Sequence, residues 1–200
     1  DDIMSTLVTM EFTDEKGETR LLTDMEACQY IGLLSSAGND TTARFAGWAG
    51  ATLAQFPDQR AKLVARPDLI PNAVEEILRF EPPSMCLGRV VTKDVVWYDQ
   101  VVPEGAVMVP IHAATGRDPR HFTGTDPDVF DVERKIDKIL SFGFGVHVCL
   151  GAPLARMEAR IMLEEMLLRF PEWDVVWDET EIVHTGSSLR GYSKLPITFG

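Results

Sequence analysis

The sequence FGFGVHVCLG, at positions 142–151, is a glycine-spaced loop that carries a single cysteine, and a strongly helical run begins directly after it. Glycine readily adopts left-handed backbone angles, so Gly145 and Gly151 allow amide N–H groups to turn toward the sulfur. Proline is favoured in the first turn of a helix, so Pro153 places Cys149 just ahead of a helix N-terminus. The positive end of the helix dipole favours an anionic sulfur there. The loop therefore predicts a cysteine that is held as a thiolate.

A thiolate presented in this way has two chemical uses and one ordinary alternative. It suits a nucleophile, and it equally suits the axial ligand of a haem iron. An isolated cysteine is also commonly a small buried residue that packs as a hydrophobe. The position of Cys149 alone does not separate these possibilities, so the rest of the chain has to be compared with them.

Composition narrows the class of protein. The chain has 200 residues, of which 45% are hydrophobic, and a net charge of −12. These values predict a single globular unit with a sizeable core. The acidic balance is a poor match for nucleic acids and for anionic membrane surfaces, which select basic patches. The sequence shows no bilayer-spanning apolar stretch and no signal peptide. The cysteines are scattered without paired spacing, which predicts a cytoplasmic protein without zinc knuckles or a disulfide framework.

Residues 24–56 are predicted to form one long helix. Thr23 and Glu26 have the spacing of a capping box, and Pro57 ends the helix. Its middle carries a cluster of small and polar residues inside an apolar run, SSAGNDTT at positions 35–42. The cluster suits a crossing point between packed helices. It also suits a functional site, since its glycine lets a planar group approach the backbone and its hydroxyls can bond back to carbonyls.

Beyond this helix the pattern predicts a mainly α protein with a smaller β region, an α+β fold. Helices are expected at 58–65, 67–80 and 152–170, and short strands over 87–110, 173–177 and 195–199. An irregular segment rich in proline and aspartate, 117–140, leads into the cysteine loop, and residues 186–191 are predicted to form a turn. Glu76 and Arg79 lie three positions apart on one helical face, a pairing that is common on exposed helices.

Together these motifs resemble the cytochrome P-450 family. Its haem-ligand signature is similar to Phe142-x-x-Gly145-x-His147-x-Cys149-x-Gly151, and its oxygen-activation segment to Ala37-Gly38-x-Asp40-Thr41-Thr42. Its buried structural network is similar to Glu76-x-x-Arg79 with Arg134 downstream. One departure is Gly116 in Thr115-Gly116-Arg117-Asp118, where asparagine is commoner, and we expect it to affect packing only. The resemblance runs over the whole chain in order and corresponds to the C-terminal half of the fold, so residues 1–200 are expected to be one partial domain whose N-terminal half is absent.

The resemblance implies that the chain binds haem b, with Cys149 as the proximal ligand of the iron. Asp40 and Thr41 would be the catalytic residues that deliver protons during dioxygen activation. Arg89 and His147 would hold the haem propionates, for which the arginine fork is well suited. The residues expected to bind the cofactor are Ala37, Gly38, Arg89, Phe142, Gly143, Gly145, His147, Cys149, Leu150, Gly151 and Ala155. Glu76, Arg79 and Arg134 would be structural.

The activity implied is that of a haem-thiolate monooxygenase. Such an enzyme inserts one oxygen atom from dioxygen into a hydrophobic organic substrate, with electrons from NAD(P)H delivered by a ferredoxin and its reductase or a similar donor. The expected substrate-lining residues are largely apolar: Leu33, Ser36, Met85, Cys86, Leu87, Ser188 and Leu189. The alternatives are a haem-thiolate enzyme that uses peroxide or rearranges its substrate, and an inactive fragment or non-enzymatic haem-binding domain. No nucleic acid or membrane partner is expected.

Overall fold

A computed structural model describes residues 2–186 and 188–199 and shows a mixed helical and stranded protein. Its α-helices are α1 (Ile3–Thr9), α2 (Asp24–Gln55), α3 (Pro57–Ala65), α4 (Ile70–Phe80), α5 (His112–Thr115) and α6 (Ala152–Arg169). Its strands are β1 (Glu11–Thr13), β2 (Thr19–Leu21), β3 (Arg89–Val90), β4 (Val95–Trp97), β5 (Gln100–Val102), β6 (Val107–Met108), β7 (Trp173–Val175), β8 (Glu181–Thr185), β9 (Leu189–Lys194) and β10 (Ile197–Phe199). None of the helices in these residues has the length and apolar character needed to cross a membrane.

The chain divides into two compact units, Asp1–Asp40 and Thr41–Gly200, and the boundary falls within α2. In the first unit β1 and β2 form an antiparallel hairpin that the sequence did not predict. The predicted capping box at the start of α2 is confirmed. The Glu26 amide donates to the Thr23 hydroxyl at 3.3 Å, and the Thr23 amide donates to the Glu26 carboxylate at 2.8 Å.

The carboxylate of Glu26 has a second partner in the same unit. Arg20 donates to both of its oxygens at 2.8 Å. Hydrogen bonding from Arg20, followed by bonding from Thr23, lowers the pKa of Glu26 to about 2. The first turn of α2 is thus held by an ionised carboxylate, which also complements the positive end of the helix dipole.

In the second unit, helices pack around a core that contains Trp173. The indole N–H of Trp173 donates to the Gly50 carbonyl of α2 at 3.0 Å, which satisfies the polar atom of a side chain that is 2% exposed. Arg60 of α3 stacks on the indole at 4.4 Å and donates to the Trp173 carbonyl at 2.6 Å. Apolar residues of α2, α4 and α6 surround this centre: Leu53, Ile77, Leu163 and Leu167. Burial of these side chains is the main stabilising contribution to the unit.

The β region differs from the expected small sheet. It consists of separate two-stranded ladders, including β3 with β6 and β4 with β5. The predicted turn at 186–191 is too long, because β9 already begins at Leu189 and pairs with β8. Trp177 lies in a 3₁₀ turn rather than in strand β7, and the first turn of the helix predicted at 67–80 is also 3₁₀.

Residues 116–144 form neither helix nor strand, in agreement with the irregular segment that the sequence predicted. The segment is nevertheless anchored at its interior. Phe130 and Val132 are buried in the core, and the Asn72 side chain of α4 donates to the carbonyls of Val132 and Arg134 at 2.7 and 3.0 Å. These contacts fix the path of the chain into the cysteine loop.

Candidate functional site

The cysteine loop, residues 142–151, is closed by its own backbone. The Cys149 amide donates to the Phe142 carbonyl at 2.9 Å, and the Val148 amide donates to the Gly145 carbonyl at 3.0 Å. Gly143 and Gly145 have φ angles of +76° and +74°, which side-chain-bearing residues rarely adopt. The predicted left-handed backbone is confirmed at Gly145 and also occurs at Gly143, but the prediction is wrong for Gly151, whose φ is −80°.

The thiol of Cys149 lies at the start of α6, as the sequence predicted. Gly151 is the N-cap of that helix, has an ordinary φ of −80° and makes no side-chain cap bond. A β-carbon built on Gly151 would lie 3.9 Å from the Cys149 sulfur, so the sulfur is close to the helix end. Within the described residues the amide N–H groups of Leu150 and Gly151 donate no hydrogen bond. An anionic sulfur at this position would complement the helix dipole.

The side chains around the thiol form an open apolar surface. Phe144, Val146, Val148 and Leu150 are 71%, 97%, 54% and 76% exposed, and Cys149 itself is exposed. So many exposed apolar side chains within a few residues of one thiol are unusual for a segment in contact with water. The surface fits a flat, largely apolar group whose metal accepts the sulfur, and haem meets that description.

Arg156 belongs to this site, although sequence analysis did not select it. Its guanidinium donates to both oxygens of Glu75 on α4, at 2.5 and 3.0 Å, and packs over the Phe142 ring at 4.5 Å. The hydrogen bonds with Glu75 raise the pKa of Arg156, and the nearby Cys149 contributes in the same direction. No local pattern indicates this arrangement, because Glu75 and Arg156 are 81 residues apart.

The two residues expected to hold propionates lie on different elements. His147 is exposed and ends the 3₁₀ turn Gly145–His147 within the cysteine loop. Arg89 is exposed on β3, and its guanidinium donates to the adjacent Gly88 carbonyl at 2.9 Å. Ala155 lies in the first turn of α6, where its amide donates to the Gly151 carbonyl at 2.8 Å.

Glu76, Arg79 and Arg134 meet in one buried network. The Glu76 carboxylate accepts two bonds from Arg79, at 2.6 and 2.7 Å, and one from Arg134 at 3.2 Å. The Asp131 amide also donates to Glu76, at 2.9 Å. Arg79 continues to the Gly116 carbonyl at 2.6 Å, and all three charged side chains are 0–4% exposed. The network ties α4 to the irregular segment ahead of the cysteine loop.

The expected substrate-lining residues fall in two groups. One group comes from segments that the structure brings together: the Met85 amide donates to the Ser188 carbonyl at 2.6 Å, and Ser84 forms an isolated β-bridge with Leu189. Cys86 and Leu87 continue the first of these segments. The other group lies on α2, in the first unit. Leu33 is exposed there, and the Ser36 hydroxyl donates to the Gly32 carbonyl at 2.8 Å.

The small-residue cluster of α2 keeps a continuous helix. Residues 37–41 are all α-helical, and Asp40 and Thr41 are partly exposed neighbours. A β-carbon built on Gly38 would meet no atom within 4 Å, so space is open on that side of the helix. Within the described residues no group of three or more histidine, cysteine, aspartate or glutamate side chains could hold a metal ion.

Comparison with known proteins identifies the family. A sequence profile described as cytochrome P450 matches residues 60–187, which include the cysteine loop. Cytochrome P450 CYP107DY1 of Priestia megaterium is 35% identical over 199 residues, which is 100% of this chain and 47% of that protein. The biotin biosynthesis cytochrome P450 of Bacillus subtilis is 39% identical, over 89% of this chain and 44% of that protein.

Solved structures agree. The cytochrome P450 PksS of the Bacillus subtilis bacillaene polyketide synthase superposes with a TM-score of 0.91 and 31% identity, covering 100% of this chain and 50% of the other. The chain thus spans about half the length of the relatives that it matches. The expected fold class is confirmed, and the family implies haem with cysteine thiolate ligation. This chain belongs to the cytochrome P450 family.

Proposed function

We propose that the protein containing this chain is a haem-thiolate monooxygenase. It inserts one oxygen atom from dioxygen into a hydrophobic organic substrate, and a ferredoxin-type partner supplies electrons from NAD(P)H. The observation that carries the proposal is the thiol of Cys149, held beside an uncapped helix N-terminus and bordered by an open apolar surface. Cytochrome P450 CYP107DY1 of Priestia megaterium, which matches 100% of this chain, gives independent support.

Cys149 is the proposed axial ligand of haem b. When bound, a haem with a thiolate ligand supplies the oxidising chemistry, since electron donation from the sulfur favours cleavage of the O–O bond. The chain's own contribution is to place the sulfur. The thiol lies beside the N-terminus of α6, and the backbone bonds of the closed loop hold Cys149 there.

The remaining loop residues are proposed to orient and shield the cofactor. Phe142 is proposed to shield the sulfur, and its ring lies under the Arg156 guanidinium at 4.5 Å. Gly143 and Gly145 let the backbone approach closely, because a side chain at either position would strain the backbone. Leu150, Gly151 and Ala155 are proposed to contact the cofactor at the start of α6. Arg89 and His147 are proposed to bind its propionates by charge-assisted hydrogen bonds.

On α2, Asp40 and Thr41 are proposed to carry protons from solvent into the site, where a bound haem would supply the dioxygen chemistry. A carboxylate and a hydroxyl at consecutive helical positions can pass a proton between solvent and a buried atom. Ala37 and Gly38 are proposed to leave room for dioxygen and the cofactor, a role supported by the open space beside Gly38. The Asp40–Thr41 pair favours dioxygen chemistry over the use of peroxide, which needs no such delivery.

The proposed substrate is an apolar small molecule. It would contact Leu33 and Ser36 of α2 and the segments that contain Met85, Cys86, Leu87, Ser188 and Leu189. A lipid-like or acyl substrate class is supported by a relative named beta-dihydromenaquinone-9 omega-hydroxylase, in Mycobacterium tuberculosis, and by the similar structure of P450BioI in complex with hexadec-9Z-enoic acid ligated acyl carrier protein. A reducing, cytoplasmic compartment is proposed on the scattered spacing of the cysteines in the sequence.

The deciding experiment is the absorption spectrum of the reduced, CO-bound protein that contains this chain. We expect the strongly red-shifted Soret band of thiolate-ligated haem, and its loss in Cys149→Ser, because a hydroxyl is a poor substitute for thiolate. Cys28→Ser is the matched control, since this exposed cysteine lies on α2 in the first unit. Retention of the band in Cys149→Ser would refute ligation by Cys149.

The proton-delivery role has a separate test. In Thr41→Ala we expect dioxygen consumption to continue while product formation falls, because protons no longer reach the oxygen in step with the electrons. Thr42→Ala is the matched control, since the Thr42 hydroxyl donates to Glu158 of α6 at 3.3 Å. Full coupling in Thr41→Ala would remove Thr41 from the proposed mechanism.

A further inference from the structure

Two chain segments that carry the expected substrate-lining residues are joined by backbone hydrogen bonds. The Met85 amide donates to the Ser188 carbonyl at 2.6 Å, and the Arg190 amide donates to the Pro83 carbonyl at 2.9 Å. An isolated β-bridge between Ser84 and Leu189 lies between these two bonds. We call residues 83–87 and 188–190 the paired lining segments. Their register is set by only a few bonds, so something else must keep it from slipping.

A charged pair lies at the end of the paired lining segments. The Arg190 guanidinium of β9 donates to the carboxylate of Glu81, the residue that follows α4. The two side chains are only 27% and 18% exposed. Arg117 lies 3.6 Å from the other oxygen of Glu81 and donates to the Phe80 carbonyl at 3.0 Å. Glu81 is thereby oriented from two sides.

Trp48 of α2 completes the arrangement. The Arg190 guanidinium stacks on the indole ring at 4.4 Å, and the indole N–H donates to the Arg190 carbonyl at 3.1 Å. Tyr192, two positions further along β9, packs on the same indole with ring centroids 4.8 Å apart. Trp48 therefore contacts both the side chain and the backbone of Arg190, while Glu81 binds the guanidinium. These contacts together restrain the conformation of Arg190.

We propose that the Glu81–Arg190 pair is a positioning clamp that fixes the register of the paired lining segments and so determines which substrates fit. The inference rests on the proposed function, because it assigns the clamp to the substrate site of that enzyme. Neither Glu81 nor Arg190 is among the residues expected to touch substrate. The clamp acts through the Met85–Ser188 and Pro83–Arg190 bonds, which it holds in place.

The chain offers a matched control on the same strand. Lys194 of β9 pairs with Glu179 at 3.2 Å, but both side chains are about half exposed, and both residues lie outside the paired lining segments. Exposed pairs of this kind contribute little to stability, whereas a shielded pair with further hydrogen bonds restrains its neighbours. Glu179→Gln should therefore leave the segments unchanged, while Glu81→Gln should loosen them.

The first experiment measures backbone hydrogen exchange in the haem-loaded protein that contains this chain. In Glu81→Gln and Arg190→Gln we expect the backbone amides at positions 85 and 190 to exchange at least about tenfold faster, since their bonds would open more often. The Val176 amide, which donates to the Pro196 carbonyl at 3.1 Å, should keep its rate and reports on the rest of the unit. Unchanged exchange at Met85 and Arg190 would overturn the proposal.

The second experiment measures fit at the substrate site with two azole probes. Imidazole is small and binds through its ring nitrogen to iron, whereas 4-phenylimidazole adds a ring that must contact the surrounding wall. We expect the Glu81 and Arg190 variants to weaken 4-phenylimidazole about fivefold or more relative to imidazole, as a misplaced wall would. A general structural defect would weaken both probes equally, and an unchanged ratio would refute the effect on specificity.

A reciprocal variant protects the test against misfolding. The double exchange Glu81→Arg with Arg190→Glu restores opposite charges, and Arg190→Lys keeps the charge while losing the planar fork. We expect the double variant to recover slow exchange at Met85 more than either single variant does. Absence of the red-shifted CO band in the unsubstituted protein would refute the proposed function, whereas exchange at Met85 tests the clamp by itself.

Discussion

The carbonyl oxygen of Gly116 accepts a hydrogen bond from the Arg79 guanidinium at 2.6 Å, while the Gly116 α-carbon packs against the Arg79 backbone. A β-carbon built on Gly116 would collide with the Arg79 carbonyl oxygen and lie 3.1 Å from its carbonyl carbon. Glycine, in place of the commoner asparagine, therefore allows the backbone at position 116 to approach the Arg79 backbone closely. In this chain the glycine is required by a backbone contact.

We expect Gly116→Ala to lower the free energy of unfolding by about 1–3 kcal/mol, because a β-carbon there would collide with the Arg79 carbonyl oxygen. Urea unfolding of the protein that contains this chain measures the change. Gly124→Ala is the control, since a β-carbon there would meet no atom within 4 Å. Equal stability of the two variants would show that the contact at Gly116 relaxes easily.

Removal of the Glu76 charge should lower the free energy of unfolding more than removal of an exposed carboxylate does. In Glu76→Gln two buried guanidinium groups, of Arg79 and Arg134, would lose their counterion, which costs about 3–5 kcal/mol. Glu164→Gln is the control, because Glu164 pairs with Arg160 at 3.6 Å on the exposed face of α6 and contributes only about 0.3–0.5 kcal/mol. Chemical unfolding of both variants tests the difference, and a cost below about 1 kcal/mol for Glu76→Gln would contradict the assigned burial.

The capping box of α2 should depend on pH. Bonding from Arg20, then from Thr23, holds the pKa of Glu26 at about 2, below its ordinary 4.5. Because the folded pKa is lowered, the stabilisation is complete above pH 4.5 and is lost as the pH falls toward 2. Carbon-13 NMR titration of the Glu26 carboxyl should give a midpoint near 2 and move toward 4.5 in Arg20→Gln. If the titration midpoint of Glu26 is the same in Arg20→Gln as in the unsubstituted protein, the ion pair with Arg20 is not the cause of the lowered pKa.

His112 should give the protein a second pH dependence. Burial lowers the pKa of His112 below 6.5 and the Arg89 cation lowers it further, while its bond with Ser84 opposes the shift. The folded protein therefore binds fewer protons than the unfolded one just below pH 6.5, so stability falls as the pH drops through that window. Urea unfolding at pH 7.5 and pH 5.5, about one unit either side of that value, should show a smaller drop in His112→Gln than in the unsubstituted protein. If both proteins lose the same stability between these two pH values, the pH dependence arises from groups other than His112.

The helices were predictable because their signals are local. The Thr23–Glu26 capping box and Pro57 delimit α2 to within one residue of the prediction, and the helix predicted at 152–170 ends at Arg169. The β1–β2 and β8–β9 hairpins were missed because their strands are short and carry mixed exposed and half-buried residues. The alternation of apolar and polar residues that marks a strand is too weak to recognise over three to six residues.

The candidate site was predictable to the extent that it lies in one loop. The cysteine loop is a continuous motif in which the glycines and Cys149 have a characteristic spacing, so these residues could be selected from the sequence. The Arg156–Glu75 fork and the Arg190–Glu81 pair could not, since they join residues 81 and 109 positions apart. Such partners are set by how α4, α6 and β9 pack, and no local pattern encodes that.

The bond between Arg134 and Glu76 also has a kinetic consequence. It closes a loop of 58 residues, at an entropic cost of roughly 4 kcal/mol before any contact is gained. The Glu76 carboxylate that accepts the bond from Arg134 is positioned by α4. We therefore expect the irregular segment to dock on α4 only after that helix has formed. The cysteine loop follows that segment directly in the chain. We therefore expect the thiolate to reach its final position among the last steps of folding, after the helical core is already built.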